Sequence, residues 1–179
     1  MKNRNIQFKT TPTFLIPLLL TCLAVLIPAT TPALARDEVP FNGTVSGYVE
    51  TQEPVDNCTV HAHVINFGNA NELGRFHGTA EFYPNFCENP PNITYTGTFH
   101  WFAANRDEIY GTFDGYLTPI LGTPGVYDNH ETAAITGGTG RFANATGSFT
   151  LGGQIDFTTT PPSFVLPWHG TISRPGGRN

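Results

Sequence analysis

Residues 94–102 of the chain, TYTGTFHWF, alternate between two kinds of side chain at every position. One set is Tyr95, Gly97, Phe99 and Trp101, and the other is Thr94, Thr96, Thr98 and His100. Successive side chains of a β-strand point to opposite faces of its sheet, so this alternation predicts a strand with one apolar face. Residues 148–157, SFTLGGQIDF, repeat the pattern, and they predict a second strand of the same kind.

Working outward from these two segments, the sequence predicts an all-β domain. Eight strands are predicted, at 42–51, 58–66, 73–83, 93–103, 108–118, 131–136, 146–157 and 164–173. Short links rich in Gly, Pro and Asn separate them, which favours antiparallel neighbours, and only residues 139–145 suit a helical turn. Glycines recur before threonine inside the strands, as a narrow closed sheet requires, so we expect an eight-stranded antiparallel β-barrel. A two-sheet β-sandwich is the alternative architecture.

The first 35 residues are typical of a cleavable signal peptide. Lys2, Arg4 and Lys9 precede an apolar run at 14–27, and the small-residue triplet at 33–35 offers a cleavage site before Arg36. The apolar run is short for a membrane span of about 20 residues, which argues against a retained anchor. The sequence therefore predicts a signal peptide at 1–35, one mature domain at 36–179, and a secreted or periplasmic location.

Removal of the predicted signal changes the charge and the cysteine count. The remaining chain has six Arg, no Lys and fourteen Asp or Glu, a formal net charge of −8. That balance argues against binding to nucleic acid or to an anionic membrane surface, so neither is predicted as a partner. Cys22 would leave with the signal, and the remaining Cys58 and Cys87 are expected to form a disulfide in an oxidising compartment.

Two groups of side chains are candidates for chemistry. His61 and His63 lie two residues apart on one strand face, a spacing that can chelate a metal, but no acidic residue follows at the distance a metal motif needs. They are weak candidates, and we predict no metal. Glu108, Tyr110 and Asp114 share one face of another strand and would be catalytic candidates if that face pointed inward. The favoured interpretation points them outward.

Residues 134–149, AITGGTGRFANATGSF, form a glycine-rich block in which Phe142 follows three of the glycines. The block resembles the I-T-G-G-[TA]-G-x-F-x-x-A-x-G signature of plant allene oxide cyclases and dirigent proteins, and of exported bacterial proteins of the same barrel family. Weaker similarities to the bacterial branch occur at 39–41, 73–76 and 103–112. The resemblance implies an eight-stranded antiparallel barrel. Plant relatives assemble as trimers, so the resemblance is also compatible with an oligomer. The catalytic residues of the plant enzymes have no counterpart in matching motifs here.

Within the block, Gly137, Gly138 and Gly140 are expected to allow positive φ and close backbone approach. Phe142 is expected to pack beneath the turn. A phosphate-binding loop is the alternative, but it would need a helix N-terminus and usually a lysine.

The aromatic residues of the strands give the remaining functional hypothesis. Those predicted to bind a ligand are Tyr95, Phe99, Trp101, Phe113 and Phe149. They either fill the barrel or surround a cavity for a small hydrophobic molecule, as barrels of this size do. The sequence thus predicts an exported barrel that binds a small hydrophobic ligand or a partner. An isomerase or cyclase acting on an unsaturated lipid-like substrate is the alternative, and no cofactor is predicted because no nucleotide or hydrolase motif occurs.

Overall fold

The structure is a computed structural model that describes residues 37–173 and 175–176. The predicted signal peptide at 1–35 lies outside these residues. The nine strands are β1 (Glu38–Pro40), β2 (Gly43–Pro54), β3 (Val60–Ala70), β4 (Gly74–Asn89), β5 (Asn92–Ala103), β6 (Glu108–Pro119), β7 (Val126–Gly138), β8 (Gly147–Asp156) and β9 (Ser163–Ser173). A 3-10 turn at Gly140–Phe142 lies within the predicted helical segment. No helix among the described residues is long and apolar enough to cross a membrane.

The strands from β2 to β9 form a closed antiparallel barrel. Each pairs with the next along the chain, and β9 pairs with both β8 and β2, which closes the sheet. The predicted eight-stranded barrel is therefore confirmed, and the sandwich alternative is wrong. The short β1 was not predicted; it pairs with the end of β9, with Val39 opposite Ile172.

The inward side chains of one half of the barrel form a tight aromatic group. Its members, named here the aromatic plug, are Phe41, Phe76, Trp101, Phe149 and Trp168. Trp101 lies 4.6 Å from Phe76 and 5.3 Å from Trp168, measured between ring centroids. The plug fills the half of the barrel nearest the β7–β8 connection, which we call the closed end. The end that carries the β8–β9 connection, residues 157–162, is called the open end.

Glycines bring the neighbouring strands of this barrel close together. A Cβ atom on Gly78 would lie 2.0 Å from the carbonyl oxygen of His100, and one on Gly111 would lie 1.9 Å from that of Ala134. Real Cβ atoms do not approach so closely, so any side chain at either position would push two strands apart. The recurring Gly-Thr pairs of the sequence thus mark strand positions where the barrel has no room for a side chain.

The glycine-rich block connects β7 to β8 at the closed end. Phe142 is fully buried beneath it, as expected. Of Gly137, Gly138 and Gly140, only Gly140 has a positive φ, at +55°. Gly138 instead faces the Glu108 carbonyl oxygen, which lies 2.3 Å from where a Cβ atom would be. Positive φ is therefore used at Gly140 alone, and Gly138, which still belongs to β7, provides the expected close backbone approach. Arg141 Nε lies 3.3 Å from Asp107 Oδ2, which ties the block to the β5–β6 connection.

The predicted disulfide is present. Cys58, in the β2–β3 connection, is bonded to Cys87 of β4, with the two Cα atoms 5.4 Å apart. The strand pairing of β4 with β5 is interrupted between Asn85 and Asn89, so the bond secures a segment that the sheet itself holds loosely.

We expect the double variant Cys58→Ser/Cys87→Ser to unfold more easily than the wild type. The bond closes a loop of 29 residues, and loss of that closure lowers the free energy of unfolding by about 3–4 kcal/mol on the chain-entropy estimate. Urea denaturation of both proteins measures the difference. Two reactive thiols in the folded, unreduced wild type would contradict the bond.

Candidate functional site

A cavity of about 60 Å³ lies in the barrel between the aromatic plug and the open end. The five side chains predicted to bind a ligand, Tyr95, Phe99, Trp101, Phe113 and Phe149, all line it. So do Phe157 and Phe164, which are half-buried where β8 ends and β9 begins. The cavity therefore approaches solvent at the open end.

Three polar residues interrupt the apolar wall of this cavity: Asn66 of β3, Tyr95 of β5 and Glu131 of β7. The Tyr95 hydroxyl donates to Asn129 Oδ1 at 2.5 Å and lies 3.1 Å from Glu131 Oε2. Strand β6 separates β5 from β7, and it has a glycine, Gly115, where the Tyr95 ring passes. A Cβ at that glycine would lie 2.7 Å from the Tyr95 hydroxyl oxygen, so the glycine makes the contact between the two strands possible.

Glu131 is an ionisable residue on the cavity wall, and its surroundings shift the pKa of its carboxyl. Burial in the barrel raises the pKa of its carboxyl from the ordinary 4.5 to about 7, and the negative charge of Asp114 on the outer face adds to the rise. Hydrogen bonds with Tyr95 and Asn129 act in the opposite direction but do not offset the burial. The pKa of Tyr95 is also raised, first by burial and then by the nearby Glu131, so its phenol stays protonated.

Four buried polar atoms have no hydrogen-bond partner within the described part of the protein. They are Asn66 Oδ1, Trp101 Nε1, Asn129 Nδ2 and Trp168 Nε1. Asn66 is 4% exposed and lines the cavity, so its carbonyl oxygen is an acceptor that the protein leaves unused. Both indole nitrogens belong to the aromatic plug, where neighbouring rings surround them. An unpaired buried polar atom costs free energy, and a ligand that supplies its partner recovers that cost.

The catalytic candidates of the sequence lie elsewhere. Glu108, Tyr110 and Asp114 point outward from β6, while Ile109 and Leu117 of the same strand are fully buried. Glu108 Oε2 lies 2.9 Å from His100 Nε2 on the outer surface. The structure thus brings none of the three candidates into the cavity, in agreement with the outward interpretation of this strand.

The two histidines also lie on the outer surface. His61 of β3 contacts the Glu81 carboxylate, and His63 Nδ1 lies 2.9 Å from Glu50 Oε2. The His61 ring stacks on Tyr83, with centroids 4.8 Å apart. Within the described residues, no group of three or more His, Cys, Asp or Glu side chains is arranged to hold a metal ion.

Sequence analysis missed Glu131 and Asn66. The strand predicted at 131–136 contains Glu131, and counting back by twos from the buried Ile135 and Ala133 reaches it and then Asn129. Their inward position was therefore readable from the register of β7, but a polar residue was not expected inside.

We expect Glu131→Gln to change how stability depends on pH. Since the folded-state pKa lies above the unfolded value, the native carboxyl holds its proton longer, and stability falls as the pH rises through the interval from 4.5 to about 7. The full difference is on the order of 3 kcal/mol. Glutamine cannot ionise. The free energy of unfolding of the variant should therefore rise relative to that of the wild type across this interval, and the difference between them should stay constant at higher pH.

Denaturant unfolding at pH values from 4 to 9 measures this effect. Asp128→Asn, on the exposed face of the same strand, is the matched control and should follow the wild-type profile. Parallel profiles for Glu131→Gln and the wild type would show that the carboxyl is not buried as described.

Comparison with known proteins assigns no family and no activity to this chain. No protein-family model matches the chain, and no curated protein matches it. Among solved structures, it is similar to a pterocarpan synthase dirigent protein, with 13% sequence identity, a TM-score of 0.43, and coverage of 86% of this chain and 98% of that one. At this identity and score the likeness transfers neither site residues nor an activity.

Proposed function

We propose that this protein is an exported barrel that binds a small, largely apolar molecule in its lumen. The observation that carries the proposal is the cavity beside the aromatic plug, which has an apolar wall and only three polar side chains. Small-molecule sites in proteins have this composition: apolar surface supplies affinity, and a few polar groups fix the orientation.

The cavity limits the size of the ligand. Its volume of about 60 Å³ corresponds to roughly four to six water-sized positions, which suits one ring with a short substituent rather than a long acyl chain. The half-buried Phe157 and Phe164 border its route to solvent at the open end. The aromatic plug blocks passage to the other end, so entry and release share one route.

An oxidising location is consistent with this role. The Cys58–Cys87 bond is of the kind that persists outside the cytoplasm, and the sequence pattern at 1–35 is that of an export signal. We therefore place the ligand-binding barrel in the periplasm or outside the cell.

A larger side chain on the cavity wall tests whether a ligand binds inside the lumen. Ala80 lines the cavity, and Ala80→Leu would add three carbon atoms to its wall. Thr79→Leu places the same leucine side chain on the outer face of the same strand and is the matched control. We expect toluene to raise the thermal midpoint of the wild type and of Thr79→Leu, because a ligand that binds the native state stabilises it.

For Ala80→Leu we expect the toluene affinity to fall at least tenfold, about 1.4 kcal/mol. NMR titration of the labelled protein gives the dissociation constants, and circular dichroism verifies the fold of each variant. Equal affinity in all three proteins would place the binding outside the lumen.

A second candidate, an isomerase or cyclase, is favoured by one observation. Glu131 has a pKa of about 7 and faces the cavity 3.1 Å from the Tyr95 hydroxyl. A carboxyl that titrates near neutral pH is suited to accept and return a proton during catalysis. In this alternative, Glu131 moves the proton and no cofactor takes part.

Proton transfer by Glu131 can be observed without knowing the natural substrate. We expect the wild type to accelerate deuterium exchange from D₂O into phenylacetone, an enolisable ketone of about the right size, and Glu131→Gln to lose the acceleration. Proton NMR follows the exchange, with Asp128→Asn as the control. An exchange rate equal to that of buffer alone would argue against the catalytic alternative and leave the binding function in place.

A further inference from the structure

The polar groups of the cavity wall include two hydrogen-bond acceptors that can receive a bond from a ligand. Asn66 Oδ1 has no partner, and the Glu131 carboxylate, once ionised, can only accept. The Tyr95 hydroxyl proton is already directed at Asn129 Oδ1. The remaining donors on the wall are Asn66 Nδ2 and Trp101 Nε1, and the second of these lies within the aromatic plug. A ligand between the plug and the open end that donates hydrogen bonds would therefore pair with both Asn66 Oδ1 and the Glu131 carboxylate.

The cavity also has negative charge without a balancing cation. Among the described residues that line it, none is Lys, Arg or His, and Glu131 is the one carboxylate. Its partners on the adjacent strands are Gly115 of β6 and Leu151 of β8, neither of which titrates. Tyr95 faces it from β5 as a neutral phenol, and Asp114 adds further negative charge through the wall.

Aromatic residues make up eight of the seventeen residues on the wall of this cavity. Those on the wall are Phe82, Tyr95, Phe99, Trp101, Phe113, Phe149, Phe157 and Phe164. The negative face of an aromatic ring attracts an organic cation, and most strongly when the cation is desolvated. The net charge of the domain also favours a cationic ligand. Residues 37–173 contain fourteen Asp or Glu and three Arg, and a negatively charged surface concentrates cations near the protein.

We propose that the ligand is a small apolar amine, whose ring occupies the aromatic cavity and whose ammonium group pairs with Glu131. This inference rests on the proposed binding function and specifies the chemical class of its ligand. A protonated amine satisfies the three features together: it donates hydrogen bonds, it supplies the missing positive charge, and its alkyl or aryl body suits the apolar wall. A neutral ligand of the same shape would satisfy only the last.

Proton binding by Glu131 makes the affinity for an amine depend on pH. The carboxyl must lose its proton to pair with the ammonium, and with a pKa of about 7 it is mostly protonated in mildly acidic solution. The affinity for an amine should therefore rise about thirtyfold between pH 5.5 and pH 8, where the carboxylate predominates. The affinity for a neutral ligand should not change in this way.

Benzylamine and benzyl alcohol test the proposal, because they share a ring and a shape and differ in charge. We expect the wild type at pH 8 to bind benzylamine at least tenfold more tightly than benzyl alcohol, and to lose this preference at pH 5.5, where benzylamine is still protonated. In Glu131→Gln the preference should be absent at both pH values while benzyl alcohol still binds. Asp128→Asn should behave as the wild type, and NMR titration gives all the dissociation constants.

The outcomes separate the two proposals. Binding of benzyl alcohol with no preference for benzylamine would overturn the amine assignment and leave the apolar binding function standing. A preference that survives in Glu131→Gln would also overturn it, since the amine would then be bound elsewhere. If neither compound nor toluene binds the wild type at millimolar concentration, the binding function itself is wrong, and the assignment of an amine falls with it.

Discussion

The narrow lumen of a barrel closed with only eight strands is the constraint on which the rest of this structure depends. Inward side chains from all eight strands must share one small volume, and strands must approach closely where they bend. Gly78 and Gly111 remove Cβ atoms that would lie within about 2 Å of a neighbouring carbonyl oxygen. With that closure in place, the aromatic plug fills one half of the lumen, and the other half retains a cavity.

The sequence predicts this barrel well because alternation reports directly on the lumen. Every second residue in 94–102 faces inward, so an apolar period of two is both a strand signal and a list of interior residues. The pattern fails where the interior is polar. The first half of β7 was missed because Asp128, Asn129 and His130 form a polar run, although Asn129 is 1% exposed and faces inward.

The same reasoning explains which site residues could be predicted. Aromatic residues in an apolar register were expected in the lumen, and they are there. One polar face of β6 carries Glu108, Tyr110 and Asp114. Such a face costs less free energy when it is exposed to water than when it is buried in a closed lumen. Glu131 differs because it follows the register of Ala133 and Ile135. A single acidic residue in an otherwise apolar register is the signal for a lumenal carboxyl, but its contact with Tyr95 depends on Gly115 in an intervening strand, which no local pattern reveals.

Packing alone gives no reason for an acid at position 131. Asn129 already accepts a hydrogen bond from the Tyr95 hydroxyl, so the tyrosine does not need a second partner, and Asp114 outside the wall makes ionisation of Glu131 harder still. Its carboxyl therefore lowers the stability of the empty barrel whenever it loses its proton. A cation in the cavity reverses this balance, because pairing then favours the ionised form that burial opposes. Glu131, which destabilises the empty barrel when it is ionised, is thus the residue best placed to distinguish a charged ligand from a neutral one. The stability of the barrel and its choice of ligand both depend on whether this carboxyl holds its proton.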